Sequence, residues 1–275
     1  MALQTLPIVG AALPIRLLPL HLNWLLEAQR DLEIQDPAVR PNLLDTDWRP
    51  LVHEARVILD GYQGRLGIHG PYDGIVIKTR DRRVRQLAIE RLQQALAFAA
   101  ELGATQMVMH SPFLFLGDSF VPHSFASSRA RVIEQVHQVI DAVLPLAVQI
   151  GCELVFENVL DGNPAPLLAL VQSFSDAAVR VSLDTGHAAI AHRQGGTAPA
   201  EWVTEVGALL GHLHLQDNDG RADRHWCPGD GEVDWHALFA AVGSLAHRPR
   251  LLIELHHHDQ IPKAAAWFAA QGLAR

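Results

Sequence analysis

From residue 8 onward the chain alternates short apolar runs with longer stretches whose apolar residues recur every three or four positions. The short runs predict strands at about 8–13, 31–35, 65–70, 105–110, 153–158, 180–184, 210–215 and 250–255. They are nearly continuous in hydrophobic residues, as strands covered on both faces are. The intervening stretches carry helical periodicity, clearest over 81–103 and 128–151, and both end on glycine, the common residue just past a helix. The apolar opening, MALQTLPIVGAALPIRLLPLHL, lacks a basic leader and is broken by Pro7, Pro14, Arg16 and Pro19. It therefore predicts a first strand passing into a helix and not a signal peptide. No stretch approaches the roughly 18 uninterrupted apolar residues of a membrane-spanning helix, so a soluble, cytoplasmic protein is expected.

About eight β-then-α units, with no Pro/Gly/Ser-rich linker, predict an α/β fold with a parallel sheet in one domain over residues 1–275. Polar residues at the strand ends choose between an open sheet and a closed one. The runs LGIHG (His69), MVMHS (His110), ELVFEN (Glu157), RVSLDTGH (Asp184 and His187), GHLHLQD (His212 or His214) and LLIELH (Glu254) each finish on a side chain that binds divalent metals. A doubly wound sheet gathers its site at one switch point, whereas a barrel gathers it from the carboxyl ends of all strands. A (β/α)8 TIM barrel is the expectation. Neither a GxGxxG nor a P-loop follows any strand, which argues against dinucleotide and nucleoside triphosphate sites.

Composition changes this picture in two ways. A formal charge of -8 disfavours a general nucleic-acid or anionic-membrane binder, because neutralising phosphates needs a basic face. Cys152, in an apolar run, and Cys227, in a polar loop, do not form a disulfide framework, in keeping with a reducing compartment.

Glu157, Asp184, His214 and Glu254 make a mixed oxygen and nitrogen set suited to Mn, Zn, Mg or Co. Any one of them could be paired with an arginine or a helix terminus, but four such groups at one barrel mouth would repel or lie unsatisfied without an ion. In D-T-G-H, Asp184 and His187 can point into one cavity, with Gly186 allowing a sharp turn; the alternative is an Asp that caps a helix beside a solvated His. His212 and His214 share one face of their strand, so spacing does not choose between them. Asp223 and His225 form a D-x-H pair able to hold a further metal, and Trp226, Pro228, Gly229 and Gly231 read as lid or turn residues. Tyr72 is placed to stack on a substrate. Glu33 and Gln35 are candidates for contacting substrate, His256 for supporting Glu254, and His123 for reaching in from the loop after the fourth strand. His21, His53, His137, His192, His236 and His247 fall on helices or surface turns.

Taken in order, HGPY, MHSPF, FEN, LDTGH, HLHLQDN, DRHWCPGDGEVDW and IEL resemble the xylose-isomerase-like TIM-barrel superfamily over about residues 65–255. That superfamily holds sugar isomerases and epimerases together with the endonuclease IV type of abasic-site nuclease. The resemblance implies one divalent ion on Glu157, Asp184, His214 and Glu254, which selects His214 over His212. In the nuclease branch it implies up to three zinc ions, with His69, His110, His187, Asp223 and His225 as the additional ligands. For an isomerase, Glu157 and Glu254 would move a proton through an enediolate while His187 steadies an oxygen.

The acidic chain and the absence of a basic or wedge-like insertion favour an isomerase or epimerase acting on a sugar, polyol or related hydroxy-carbonyl compound. The alternative is a metal-dependent phosphodiesterase acting on abasic-site DNA or a small phosphodiester. The arginine that some ketose epimerases carry shortly after the seventh-strand His has no counterpart in step, although Arg221 and Arg224 are near. Tyr72, His187, Arg224 and Trp226 form the expected substrate-contacting set. A carbohydrate-like small molecule is the expected partner, and a homo-oligomer is compatible with the fold.

Overall fold

A computed structural model describes residues 6–40, 42–113 and 126–275, which leaves His123 outside the described residues. Eight parallel strands close into a barrel in chain order. They are β1 (Gly10–Leu13), β2 (Leu32–Ile34), β3 (Leu66–His69), β4 (Gln106–His110), β5 (Glu153–Glu157), β6 (Val179–Asp184), β7 (Leu210–Leu215) and β8 (Arg250–Ile253). β1 pairs with both β2 and β8, which completes the ring. Each expected strand is present, with boundaries shifted by two residues at most. Successive side chains of a strand point to opposite faces. The face turned to the surrounding helices is apolar, as with Leu154, Phe156, Leu213 and Leu215. The face turned inward carries buried polar groups, including Glu33, Gln106, Ser182, His212 and His214.

The expected helix over 81–103 forms as Arg82–Leu102. Asp81 caps it by accepting from the Arg83 and Val84 amides at 2.7 and 3.2 Å, and Gly103 leaves it at φ +82°, where glycine has no side-chain clash. The expected helix over 128–151 divides instead into Ala126–Ile140 and Leu144–Gln149. Pro145 is the physical reason, since it donates no amide hydrogen and disfavours helical backbone in the residue before it, so it can start a helix but not continue one.

A register shift between β6 and β7 sets the site. Val181 pairs with Leu210, yet the next residue, Ser182, pairs with His212, so Gly211 is an extra residue in β7. The bulge carries His214 into line with Asp184. Without it Asp184 would lie beside Leu213, whose side chain faces the helices. On the other side, His110 is in register with Glu157. Glu254 lies just beyond β8, and its amide continues the ladder to Leu215 O at 3.2 Å.

Past β7, one buried carboxylate organises the loop. Asp217 Oδ1 accepts from the amides of Asn218 and Val233 at 3.0 and 3.1 Å, while Oδ2 accepts from the Gly229 amide and Trp235 Nε1, both at 2.9 Å. Its backbone also bonds that of Trp226 in both directions. Trp226 and Gly229 are thereby turn residues of a pinned loop and not parts of a free lid. Replacing Asp217 with Ala strands buried donors that pair with a charged acceptor, so Asp217→Ala should lower unfolding free energy by about 3 kcal/mol. Denaturant midpoints would check this, and a loss below about 1 kcal/mol would mean the loop is held by other contacts.

Candidate metal centre

Four side chains meet at the carboxyl ends of β5 to β8. His214 is fully buried, with Nδ1 2.8 Å from Glu157 Oε2 and 3.4 Å from Glu254 Oε2. Glu157 Oε2, Asp184 Oδ2 and His214 Nδ1 are all buried without a hydrogen-bond partner. Such atoms are normally bonded. Two atoms 2.8 Å apart that make no hydrogen bond to each other have the spacing of adjacent ligands on one ion. Donors bound at about 2.1 Å lie about 3 Å apart in octahedral coordination. One donor atom each from Glu157, Asp184 and His214 falls within 4.8 Å of the others. These residues fit a divalent ion, and Glu254 stands beside them with its Oε1 held by Gln35 Nε2 at 2.9 Å.

Two further donor groups share the mouth. His69, His110 and Glu157 form one, and His187, Asp223 and His225 the other, each with donor atoms within 4.8 Å. His69 Nδ1 donates to Gly70 O at 2.9 Å, which leaves Nε2 as the nitrogen available to a ligand. His187 Nδ1 donates to Asn158 O at 2.9 Å, and its Nε2 lies 3.4 Å from Asp223 Oδ2. His225 Nε2 lies 3.1 Å from Asp223 Oδ1. Its backbone sits at φ +48°, a conformation costly for a residue with a side chain and one that clusters at functional sites. Tyr72, 43% exposed at the rim, stacks on His110 with ring centroids 4.3 Å apart, and His256 packs on His225 at 4.4 Å.

Several supporting roles were not foreseen. Glu33 does not reach outward to a substrate: it is 1% exposed and accepts from His214 Nε2 at 3.1 Å. A carboxylate behind a ligating imidazole fixes the ring and raises its basicity. Gln35 likewise holds Glu254 and meets His258 Nε2 at 3.2 Å through its oxygen. His212 lies on the β7 interior one step deeper, with Nδ1 donating to Gln106 Oε1 at 2.8 Å.

Asp184 does cap a helix, Thr185–Arg193, by accepting the His187 amide on Oδ1 at 2.7 Å, while Oδ2 keeps no partner. The capping half of the alternative reading of D-T-G-H therefore holds, but His187 is not solvated, its side chain being only 11% exposed. Gly186 does not serve the turn. A Cβ there would lie 2.2 Å from the Gln216 carboxamide, so its bare backbone makes room for Gln216. Gln216 Nε2 in turn donates to Asp184 Oδ1 at 3.1 Å and Asp223 Oδ1 at 2.9 Å. The signal in the sequence was a polar pair, Gln216 and Asp217, directly following an apolar strand.

Arg224 is held by Asp219 through Nε and Nη2 at 3.1 and 3.0 Å, and its guanidinium lies 5.1 Å from the centre of the Trp226 ring. Its Nη1 takes no part in that pair. Cys152 and Cys227 are both buried and unbridged.

The titration behaviour follows from this crowding. Burial opposes charge on His187, but Asp184, Asp223 and Glu157 outweigh it and hold its pKa well above the usual imidazole value. Burial is likewise outweighed at His214 by Glu254, Glu33 and Glu157. At His225 the Asp223 hydrogen bond and Glu254 outweigh burial and raise the pKa to about 9. Burial wins at His110, which is lowered to about 4, and at Asp184, which is raised to about 6. Glu157 stays well below the carboxylate range because His214 and His187 overcome its desolvation.

A closed parallel barrel with metal-type donors on its strand ends defines a TIM barrel with a candidate metal site. A family model described as xylose isomerase-like TIM barrel matches residues 32–271, and the chain belongs to that family. It is 24% identical over 204 residues to an uncharacterised protein of Methanocaldococcus jannaschii, covering 71% of this chain and 66% of that one. An uncharacterised protein of Sinorhizobium fredii is 26% identical over 174 residues, covering 62% and 53%. The chain thus spans less than two thirds of the length of these curated relatives.

Among solved structures, a Thermus thermophilus protein soaked with ZnCl2 superposes with a TM-score of 0.72 at 25% identity, over 97% of this chain and 99% of that one. A D-tagatose 3-epimerase-like protein shares the fold with a TM-score of 0.69 at 19% identity, over 87% of each chain. The 3-keto-D-glucoside 4-epimerase of E. coli does so with a TM-score of 0.69 at 16% identity, over 96% and 99%.

Two outcomes are expected of this centre. Glu33→Gln should weaken divalent-metal affinity by about 10- to 100-fold, measured by competition with a chelating dye; unchanged affinity would remove Glu33 from the role of orienting His214. Because an imidazole must be neutral to ligate, and His225 at about 9 is mostly protonated at neutral pH, manganese binding should release protons and weaken as pH falls. A pH indicator in weak buffer would show the release, and none would mean that His225 does not ligate.

Proposed function

We propose that this chain is a divalent-metal-dependent isomerase or epimerase of a sugar, polyol or related hydroxy-carbonyl compound. The observation carrying this reading is the pair Glu157 and Glu254, 2.8 and 3.4 Å from the same nitrogen of His214. Moving a proton next to a carbonyl requires a base to remove it and an acid to return it. Glu157 and Glu254, the latter positioned by Gln35, are both held below the usual carboxylate range by neighbouring imidazoles and so suit the base role, and the one that takes the proton becomes the acid that returns it. A bound divalent ion would supply Lewis acidity toward the carbonyl and neighbouring hydroxyl oxygens. His187, which favours its protonated form, would donate to a substrate oxygen. Tyr72 and Trp226 are exposed at the rim, where their rings can cover an apolar sugar face. The -8 formal charge and the engagement of Arg224 by Asp219 disfavour a polyanionic substrate. Family membership and a fold shared with sugar epimerases support the class.

A second reading, hydrolysis of a phosphodiester, is favoured by one specific observation: three of the four donor groups among the described residues gather around Glu157, Asp184 and Asp223. With Glu157 shared between two ions, its carboxylate would be tied up and unable to act as a base.

Metal content separates the two. About one ion per chain with turnover of a ketose or polyol supports the isomerase, and about three ions with cleavage of a chromogenic phosphodiester supports the hydrolase. On a confirmed carbohydrate substrate, Glu157→Gln and Glu254→Gln should each lower kcat by about 10²-fold or more, with metal content measured in parallel. Turnover left intact in metal-loaded variants would sink the proton-transfer roles.

A further inference from the structure

The opposite end of the barrel holds another concave site. At the amino ends of the strands, a cavity of about 310 Å³ opens among side chains that include Arg65, Thr105, Glu153, Arg180, Arg248 and Arg250. Its volume is in the range of small-molecule sites. Four guanidinium groups against one carboxylate stand out in a chain of formal charge -8.

The arginines are not equally compensated. Arg65 makes a two-pronged pair with Asp31 at 2.8 and 2.5 Å. Arg180 Nη2 donates to the carbonyls of Ala208 and Leu210 at 2.8 and 3.1 Å, and its Nη1 lies 3.8 Å from Glu153 Oε1. Arg250, on β8, is only 5% exposed, and its Nη2 donates to the uncharged Thr105 hydroxyl at 2.7 Å. Its Nη1 is buried with no hydrogen-bond partner. Among the described residues no carboxylate lies within 4.0 Å of this guanidinium, whereas Arg65 and Arg180 each have one. Asp31 and Glu153 act on it only from beyond that distance, and a buried charge without a close counter-charge is costly.

We propose that this cavity binds a tetrahedral oxyanion, inorganic phosphate or sulfate, which supplies the close counter-charge that Arg250 lacks. Guanidinium groups match such oxygens in both geometry and charge. Glu153 opposes the anion only in part, since its Oε2 accepts from Gln106 Nε2 at 3.0 Å and Arg180 sits beside its other oxygen. The site lies at the far end of the strands from Glu157, Asp184, His214 and Glu254, so it does not rest on the proposed reaction.

The test is thermal melting of the metal-loaded protein titrated with inorganic phosphate, against sodium chloride at equal ionic strength. Phosphate can also bind at the mouth, so the same titration is run on Arg180→Gln and on Arg248→Gln, the latter altering an exposed side chain. A saturable rise of about 2 °C at tenfold excess over Kd is expected for the parent, with apparent Kd weakened about tenfold or more in the variants. No rise beyond chloride would overturn the proposal. An equal rise in parent and variants would also overturn it, by placing the phosphate at the mouth.

Discussion

A fully buried imidazole surrounded by three carboxylates is the constraint around which this molecule is arranged. His214 meets Glu33 on one nitrogen and Glu157 and Glu254 on the other. Like charges so close, and away from water, persist only where something positive is held among them. Protons on His187 and His225, which the neighbouring carboxylates favour against desolvation, can fill that role. A divalent cation held there would replace several protons with one charge centre. Only a closed barrel brings β2, β5, β7 and β8 around one axis, so the fold and the site are one solution to the same electrostatic problem.

The parts visible in the sequence were those that depend on local chemistry. An apolar run ending on Glu157, Asp184 or Glu254 can be read without neighbours, as can Asp81 and Gly103 at the ends of a helix. The parts that escaped depend on what another strand does. Nothing in GHLHLQD announces that Gly211 is an extra residue, because a bulge is a mismatch between two strands and not a property of one. Glu33 could be read as pointing into the barrel, but whether it met substrate or His214 depended on a residue 181 positions away. Pro145 was legible in principle, since its missing amide hydrogen forbids a continuous helix through 128–151.

The segment after β7 joins stability to chemistry. Asp217 gathers four donors and so fixes the path of the chain through Trp226. That path forces His225 into left-handed backbone, and the strain is sustained by the surrounding bonds. The D-x-H pair is therefore held at the mouth by contacts that lie outside it.

Gln216 adds a property that neither donor group has alone. One amide nitrogen is divided between Asp184 and Asp223, so drawing either carboxylate toward an ion loosens one bond and leaves the amide freer to tighten the other. If ions occupy both ends of the mouth, this shared amide links them. Thermodynamic reciprocity makes the coupling equal in both directions: whatever an ion at His187, Asp223 and His225 does to the affinity at Glu157, Asp184 and His214, an ion there returns in the same measure.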